Sequence, residues 1–367
     1  MKAEDKTMRF LLGANTPQGF VSRFDRLVDE ADGWRAYIIK GGPGSGKSTM
    51  MSKIADNFKG DPGLEMIHCS ADMDSLDAVI VPSRKFFILD GNPPHVIEPK
   101  YPGAASSLVD FTSCFDEDKL DANRAEITAL TDSISNCHEY SCRFLSAAQT
   151  LAGDSCRLAL DSVKTHKLTS YLGRLAEKEF RQKKTSPGKE KVRFLTAVTN
   201  KGVVKFAESA KKLASRIYLI SDDPGAVSRL MLHRVRADAL ACGYDIISCY
   251  CTLEPYDKLE QLFIPELDVG FMTSNRYHSF ELEIDPYRMI NCQRFTDNEK
   301  LKSGKRRFSF NRKASAQMIS QAVELIQEAQ KLHAELEGYY SAATDFAKVD
   351  LLTQNLIEKL ESRKPGS

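Results

Sequence analysis

Short apolar runs and long stripes at steps of 3 and 4 alternate along this chain, and each kind predicts a different element. Tyr37-Ile38-Ile39, Met66-Ile67 and Phe86-Phe87-Ile88-Leu89 are brief and partly β-branched, as strands covered on both faces are. Met50, Ile54 and Phe58 recur at helical spacing. Farther on, Ile127, Leu130, Ile134, Cys137, Ser141, Phe144, Ala148 and Leu151 fall on one side of a long helix, a coiled-coil-like packing stripe. Ala322, Leu325, Ala329, Leu332, Leu336, Tyr339, Ala343 and Phe346 repeat that stripe 195 residues later.

The stripe is one of several matches between two halves. Arg9-Phe10-Leu11 returns as Arg193-Phe194-Leu195, a shift of 184, and AYIIKGGPG from Ala36 lines up with IYLISDDPG from Ile217 at 181. SLDAVIVPSRKFF from Ser75 matches KLEQLFIPELDVGF from Lys258, and His95 falls over His278 at 183. Their common order reads as an internal duplication. Each copy is expected to be an α/β unit followed by a helical hairpin, joined by the basic Ser-Pro-Gly segment RQKKTSPGKEKVR from Arg181. The predicted organisation is an α/β domain over 1–120, a hairpin over 121–183, a second α/β domain over 184–300, and a basic insertion with a second hairpin over 301–367. The insertion follows from the shift, which grows from 181 at Leu301 to 195 at the stripes, so 14 residues are placed around LKSGKRRFSFNRK.

Composition narrows the classes. Lys plus Arg number 51 against 50 Asp plus Glu, a net charge of +1, so a strongly basic nucleic-acid binder is not expected. The 42% apolar content supports ordinary cores, and no run approaches the length that spans a bilayer. Nine dispersed cysteines and the polar start MKAEDKTMRF predict reduced thiols in the cytoplasm, with no membrane partner.

The chemistry is concentrated after Ile39. GGPGSGKST, from Gly41 to Thr49, fits G-x-x-x-x-G-K-[ST] and sits between a predicted strand and a predicted helix, the context the phosphate-binding loop requires. Gly41, Gly42, Pro43, Gly44, Ser45, Gly46, Lys47, Ser48 and Thr49 are the expected grip on ATP: backbone N–H groups and the helix N-terminus meet phosphate oxygens. Lys47 is expected to reach the β- and γ-phosphates, and the Ser48 hydroxyl to bind Mg²⁺. Asp90, ending the Phe86–Leu89 run, is placed to hold Mg²⁺ beside the loop, or merely to open the turn with Gly91. The second copy reads DDPGAVSRLM from Asp222, with Val227, Ser228 and Arg229 over Gly46, Lys47 and Ser48. Acids in place of the loop glycines, and no lysine, predict one active and one silent site.

Other residues are weaker candidates. No glutamate follows Asp90, so a water-activating base is sought in Asp72 or Asp74, which equally suit the cap of a helix near Ser75. His68, Cys69 and His95 could line the pocket or serve the core. Arg84, Arg276 and Arg294 are possible fingers on the transferring phosphate. Lys302, Lys305, Arg306, Arg307, Arg312 and Lys313, interleaved with Phe308 and Phe310, suit nucleic acid or a solvated loop. A Thr-Asn-Lys string at Thr199 lacks the Asp that guanine recognition needs, so ATP is the default.

IIKGGPGSGKST, HCSADMDSLDAVIVP, DGNPPHVIEP and IPELDVGFMTSNRYH together resemble a group of bacterial P-loop ATPases of about this length, in which the P-loop unit is duplicated. The resemblance spans essentially the whole chain. In that family the second loop can also look like a phosphate loop; DDPGAVSR departs from it, so only the first site is carried over. The fold expected is therefore α/β, a P-loop NTPase-like, mostly parallel sheet duplicated in tandem. The function expected is a slow Mg²⁺-dependent ATPase whose hairpins report nucleotide state to a protein partner. A small-molecule or nucleoside kinase and a nucleotide-gated adaptor are the alternatives.

Overall fold

The computed structural model describes residues 7–27, 33–181, 184–275 and 279–363. The first half runs β1 (Met8–Phe10), β2 (Gly13–Thr16), β3 (Gly19–Ser22), β4 (Arg35–Lys40), α1 (Lys47–Asn57), β5 (Glu65–His68), β6 (Leu76–Val81), β7 (Phe86–Asp90), β8 (Ser106–Asp110), α2 (Glu117–Ala122), α3 (Arg124–Leu160) and α4 (Thr165–Glu179). The second repeats it as β9 (Glu190–Arg193), β10 (Thr196–Thr199), β11 (Gly202–Lys205), β12 (Arg216–Ser221), α6 (Ala226–Ala241), β13 (Ile246–Tyr250), β14 (Leu259–Ile264), β15 (Val269–Ser274), β16 (Arg288–Asn291), α7 (Asn298–Ser303), α8 (Lys305–Ala342) and α9 (Phe346–Glu361). Among the described residues, the counterpart of helix α5 (Ala207–Leu213) is a 3-10 turn at Phe24–Arg26.

Each half builds a mixed six-stranded sheet, ordered β1-β5-β6-β7-β4-β8 and β9-β13-β14-β15-β12-β16. All neighbours pair in parallel except those of β6 and β14, which run against the rest. The short apolar runs become central strands because both their faces are covered. Ile38, Phe87 and Leu89 face the other copy, meeting Leu219, Phe263 and Met272 in a core shared between the sheets. Ile39, Phe86 and Ile88 face outward against Met50 and Ile54 of α1. The stretch after Ser75, expected to open a helix, is the strand β6, buried along its whole length.

The helices do not form hairpins. The long helices α3 and α8 pair with each other, antiparallel, with Leu145 and Ala148 against Ile319, Ala322 and Ile326. Ser315 Oγ donates to the Ala148 carbonyl at 3.3 Å, an approach that small residues on both helices permit. Beyond this pair the chains exchange places. Val349, Leu356 and Leu360 of α9 complete the first unit's outer core. Leu168, Leu172 and Leu175 of α4 complete the second unit's, beside Met231 and Val235 of α6.

The exchange is two-fold in its details. Asp116 N donates to Ala343 O and Asp297 N to Ser162 O, both at 2.7 Å; Asp345 N donates to Cys114 O at 2.9 Å and Lys164 N to Phe295 O at 2.7 Å. Within each couple the residues differ by 181, so the shift never grows to 195. There is accordingly no insertion at 301. The basic stretch forms α7 and the first turns of α8, which is 38 residues long against 37 for α3. Among the described residues, no helix is long and apolar enough to cross a membrane.

Candidate functional site

Both copies carry a loop between a central strand and the helix after it, at the edge of the sheet where parallel strands end. In the first copy β4 leaves the core at Lys40, and α1 begins at Lys47 with Gly46 as its N-cap. Gly44 and Gly46 have φ of 65° and 91°, a left-handed backbone that glycine adopts without strain. Lys47 Nζ donates to the carbonyls of Gly41 at 3.1 Å and Gly42 at 2.6 Å, and lies 3.6 Å from Asp90 Oδ2. Asp90 arrives there because β7 pairs in parallel with β4, placing it opposite Ile39. Its Oδ1 accepts from Asn92 N at 2.9 Å, and Asn92 Oδ1 accepts from Gly41 N at 3.2 Å. The strand-end carboxylate and the loop are thus tied together. Ser48 Oγ accepts from Leu76 N at 3.0 Å. The N–H groups of Gly46, Lys47 and Ser48 meet no acceptor among the described residues.

The loop is covered by the other half of the chain. Tyr340, near the end of α8, lies so close to Gly42 that a Cβ there would stand 2.3 Å from its ring. Ser341 Oγ donates to Gly44 O at 3.1 Å, and the ring of Phe115 meets Tyr340 edge-on at 5.7 Å.

The second loop is built on the same backbone and filled differently. Asp222 takes the place of Gly41, and its buried Oδ2 accepts from Ser228 N, the counterpart of Lys47 N, at 2.7 Å. Burial pushes the Asp222 carboxyl above its ordinary value, while the amides of Ser228 and Val227 pull it back. Arg229, over Ser48, pairs with Glu254 and Asp257. Thr273 stands opposite Ile220, where the first copy has Asp90 opposite Ile39. Over this loop α3 presents Ala152, Ser155, Cys156 and Ala159; the equivalent positions of α8 over the first loop are His333, Leu336, Glu337 and Tyr340. The smaller side chains leave a cavity of about 1070 Å³ between the second loop, α3 and the start of α8.

The remaining candidates are not gathered at the loop. Asp72 accepts from Ser75 Oγ at 2.7 Å and from Gln330 Nε2 of α8 at 3.1 Å, and Asp74 pairs with Lys201 at 2.7 Å. They shape the turn before β6 and cap no helix. His68 Nδ1 lies 3.0 Å from Met73 O, and burial lowers its pKa. Burial raises the Cys69 thiol well above its usual range. His95 pairs with Asp77 at 3.1 Å and packs edge-on against Phe20 and Phe24, a core role. Arg84 is held by Asp61 and the Arg363 carbonyl, and Arg294 lies over Tyr171 and Phe295. Neither reaches the loop. Arg276 and His278 fall outside the described residues.

Asn92, Tyr340 and Ser341 join the site although no phosphate-loop motif contains them. Asn92 stands inside the DGNPPH string, two residues past Asp90, the spacing at which an Asp side chain accepts from the backbone N–H. Nothing local marks Tyr340, which reaches the loop from 298 residues away. Among the described residues, no group of three or more His, Cys, Asp or Glu is placed to hold a metal. Compared with known protein families, curated proteins and solved structures, the chain matches none of them.

Proposed function

We propose that the first copy binds ATP with Mg²⁺ and hydrolyses it slowly, and that the second copy's loop is permanently occupied by its own carboxylate. The observation that carries this reading is the contrast between Lys47 N and Ser228 N. The same amide is open in one copy and taken by Asp222 in the other. An open row of amides at a helix N-terminus favours an oxyanion, and at the equivalent amide of the second copy a carboxyl oxygen is the acceptor.

The residues present suit the nucleotide and the ion. Lys47 is a donor now resting on loop carbonyls, free to transfer to phosphate oxygens and offset the charge that develops during transfer. Ser48 and Asp90 would hold Mg²⁺, which is commonly completed by phosphate oxygens and water, and the ion would neutralise charge between the phosphates. Asn92 orients Asp90 through Oδ1 and leaves Oδ2 facing Lys47.

Two features argue for slow turnover. Asp72 and Asp74, the acids the sequence offered as a base, are engaged with Ser75, Gln330 and Lys201, so neither is a ready base. The last turn of α8 also lies on the loop and must shift for a nucleotide to enter. That cover favours a second reading, a nucleotide-gated adaptor in which the displaced helix, more than the product, is the output to a protein partner.

ADP production from Mg²⁺-ATP by the purified chain, beside Lys47→Ala, tests both. We expect turnover below about 1 s⁻¹, at the slow end of enzymes, reduced at least about a hundredfold by Lys47→Ala. Binding without turnover would select the adaptor. An unmutated chain that fails to bind ATP at all would overturn both.

A further inference from the structure

The cavity over the second loop is lined by two cations that the fold leaves without a partner among the described residues. Lys305 and Arg312 line it from α8, at positions i and i+7 of one helix face, with Ser309 between them. Among the described residues neither cation has an ion pair or hydrogen bond. The acids on the same lining are largely committed: Asp222 to Ser228, Glu254 to Arg229, Glu260 to Lys258 and Glu299 to Lys302. Glu281 is exposed. Phe308, from the same face of α8, packs against Cys156, Ala159 and Ala226 and gives the cavity an apolar end beside its cations. A site with two free cations, a nearby hydroxyl, an aromatic ring and about 1070 Å³ is at the large end of small-molecule pockets.

We propose that this cavity is a second ligand site, for a small molecule carrying a phosphate on a sugar: a sugar phosphate or a nucleotide. Its phosphate pairs with Arg312, whose planar fork fits two phosphate oxygens, and with Lys305; the sugar or base lies toward Phe308. The loop takes no part in holding that phosphate, because Asp222 already fills its amides. The site therefore differs in kind from the first, although it occupies the equivalent place in the fold.

Isothermal titration of Lys47→Ala, in which the first loop is disabled, separates this site from the nucleotide reading above. The probes are AMP, ADP, ribose 5-phosphate and glucose 6-phosphate, with inorganic phosphate and citrate as charge controls. We expect one site per chain for at least one phosphorylated probe, weakened at least tenfold by adding Lys305→Glu and Arg312→Glu. Ala152→Tyr, which fills the cavity from α3 and leaves the cations in place, should abolish the same binding if the charge-reversed chain does not fold. The proposal is overturned if none of the four probes binds, if binding survives both sets of changes, or if phosphate and citrate bind as tightly as the sugar phosphates.

Discussion

Asp222 and Gly41 stand at one position of one fold, and the carboxylate between them decides what the loop can still hold. Asp222→Ala leaves the Ser228 N–H buried without its acceptor, which costs about 1–3 kcal/mol in a thermal or denaturant melt. Asp222→Asn behaves otherwise. It keeps an oxygen for Ser228 and removes a charge that burial disfavours. Because the folded pKa lies above the unfolded one, ionisation of Asp222 subtracts stability as pH rises through the folded value. Asn should therefore be neutral or stabilising at pH 7 and lose that advantage near pH 4; a variant destabilised equally at both pH values would contradict this. Tyr340 works in the opposite sense at the first loop. Tyr340→Ala removes the ring lying on Gly42 and should tighten ATP binding by roughly threefold or more, since less of the population stays closed. Unchanged affinity would mean that the cover opens freely. Lys47 and Asp90 were legible in the sequence because motif and strand end are local signals, and the structure brings them within 3.6 Å. Tyr340 was not, because nothing in a helix stripe tells which of its residues will meet a loop from the other half.

At the scale of elements, two expectations failed for physical reasons. A stripe with a period near 3.5 matches itself when displaced by two heptads, and 195 exceeds 181 by 14. The stripes alone could not fix their own alignment. The caps could: Asp116 opens α2 and Asp297 opens α7, each accepting a first-turn amide, and they are 181 apart. The hairpins failed because two similar copies offer similar apolar faces, so pairing within a copy and pairing between copies bury the same kinds of residue. Pairing between copies ties α3 to α8 through Asp154, which takes bonds from Arg307 and Asn311. Those bonds hold its carboxyl below the ordinary 3.8, and the first-turn amides do the same for the caps Asp116 and Asp345. With the folded values depressed, the stabilisation is full above the unfolded pKa and fades as pH falls through the folded ones. Amide exchange along α3 and α8 should therefore quicken below about pH 4 before the sheets open, and Asp154→Asn should blunt that change. If α3 and α8 stay as protected as the sheets throughout the acid range, these carboxylates do not govern the pairing.

The whole molecule is two sheets face to face, sharing one core and bridged across it. Arg193 Nε and Glu65 Oε2, both buried, meet at 2.8 Å between the copies. Leu11 and Phe194 exchange backbone bonds at 3.0 and 2.9 Å, so the Arg-Phe-Leu string that first revealed the duplication is also where the copies touch. The α/β class and the repeat were readable from composition and pattern; the face-to-face packing was not, because buried strands read alike whichever sheet covers them. Cutting the chain after residue 183 tests this architecture. Fragments 1–183 and 184–367 made together should assemble one to one, whereas 1–183 alone should fail to give a cooperatively melting monomer. A folded monomeric 1–183 would sink it.

The exchange of α4 and α9 also constrains the history of the chain. A molecule holding one copy would have no partner for its long helix and no cover for its own sheet. It could exist only as a pair of identical subunits, and every substitution would then have struck both loops at once. Two copies on one chain are free of that coupling. One loop could keep its glycines while the other accepted Asp222, and small side chains could accumulate on α3 while Tyr340 arose on α8. An asymmetry between the two sites is open only to a chain that carries both.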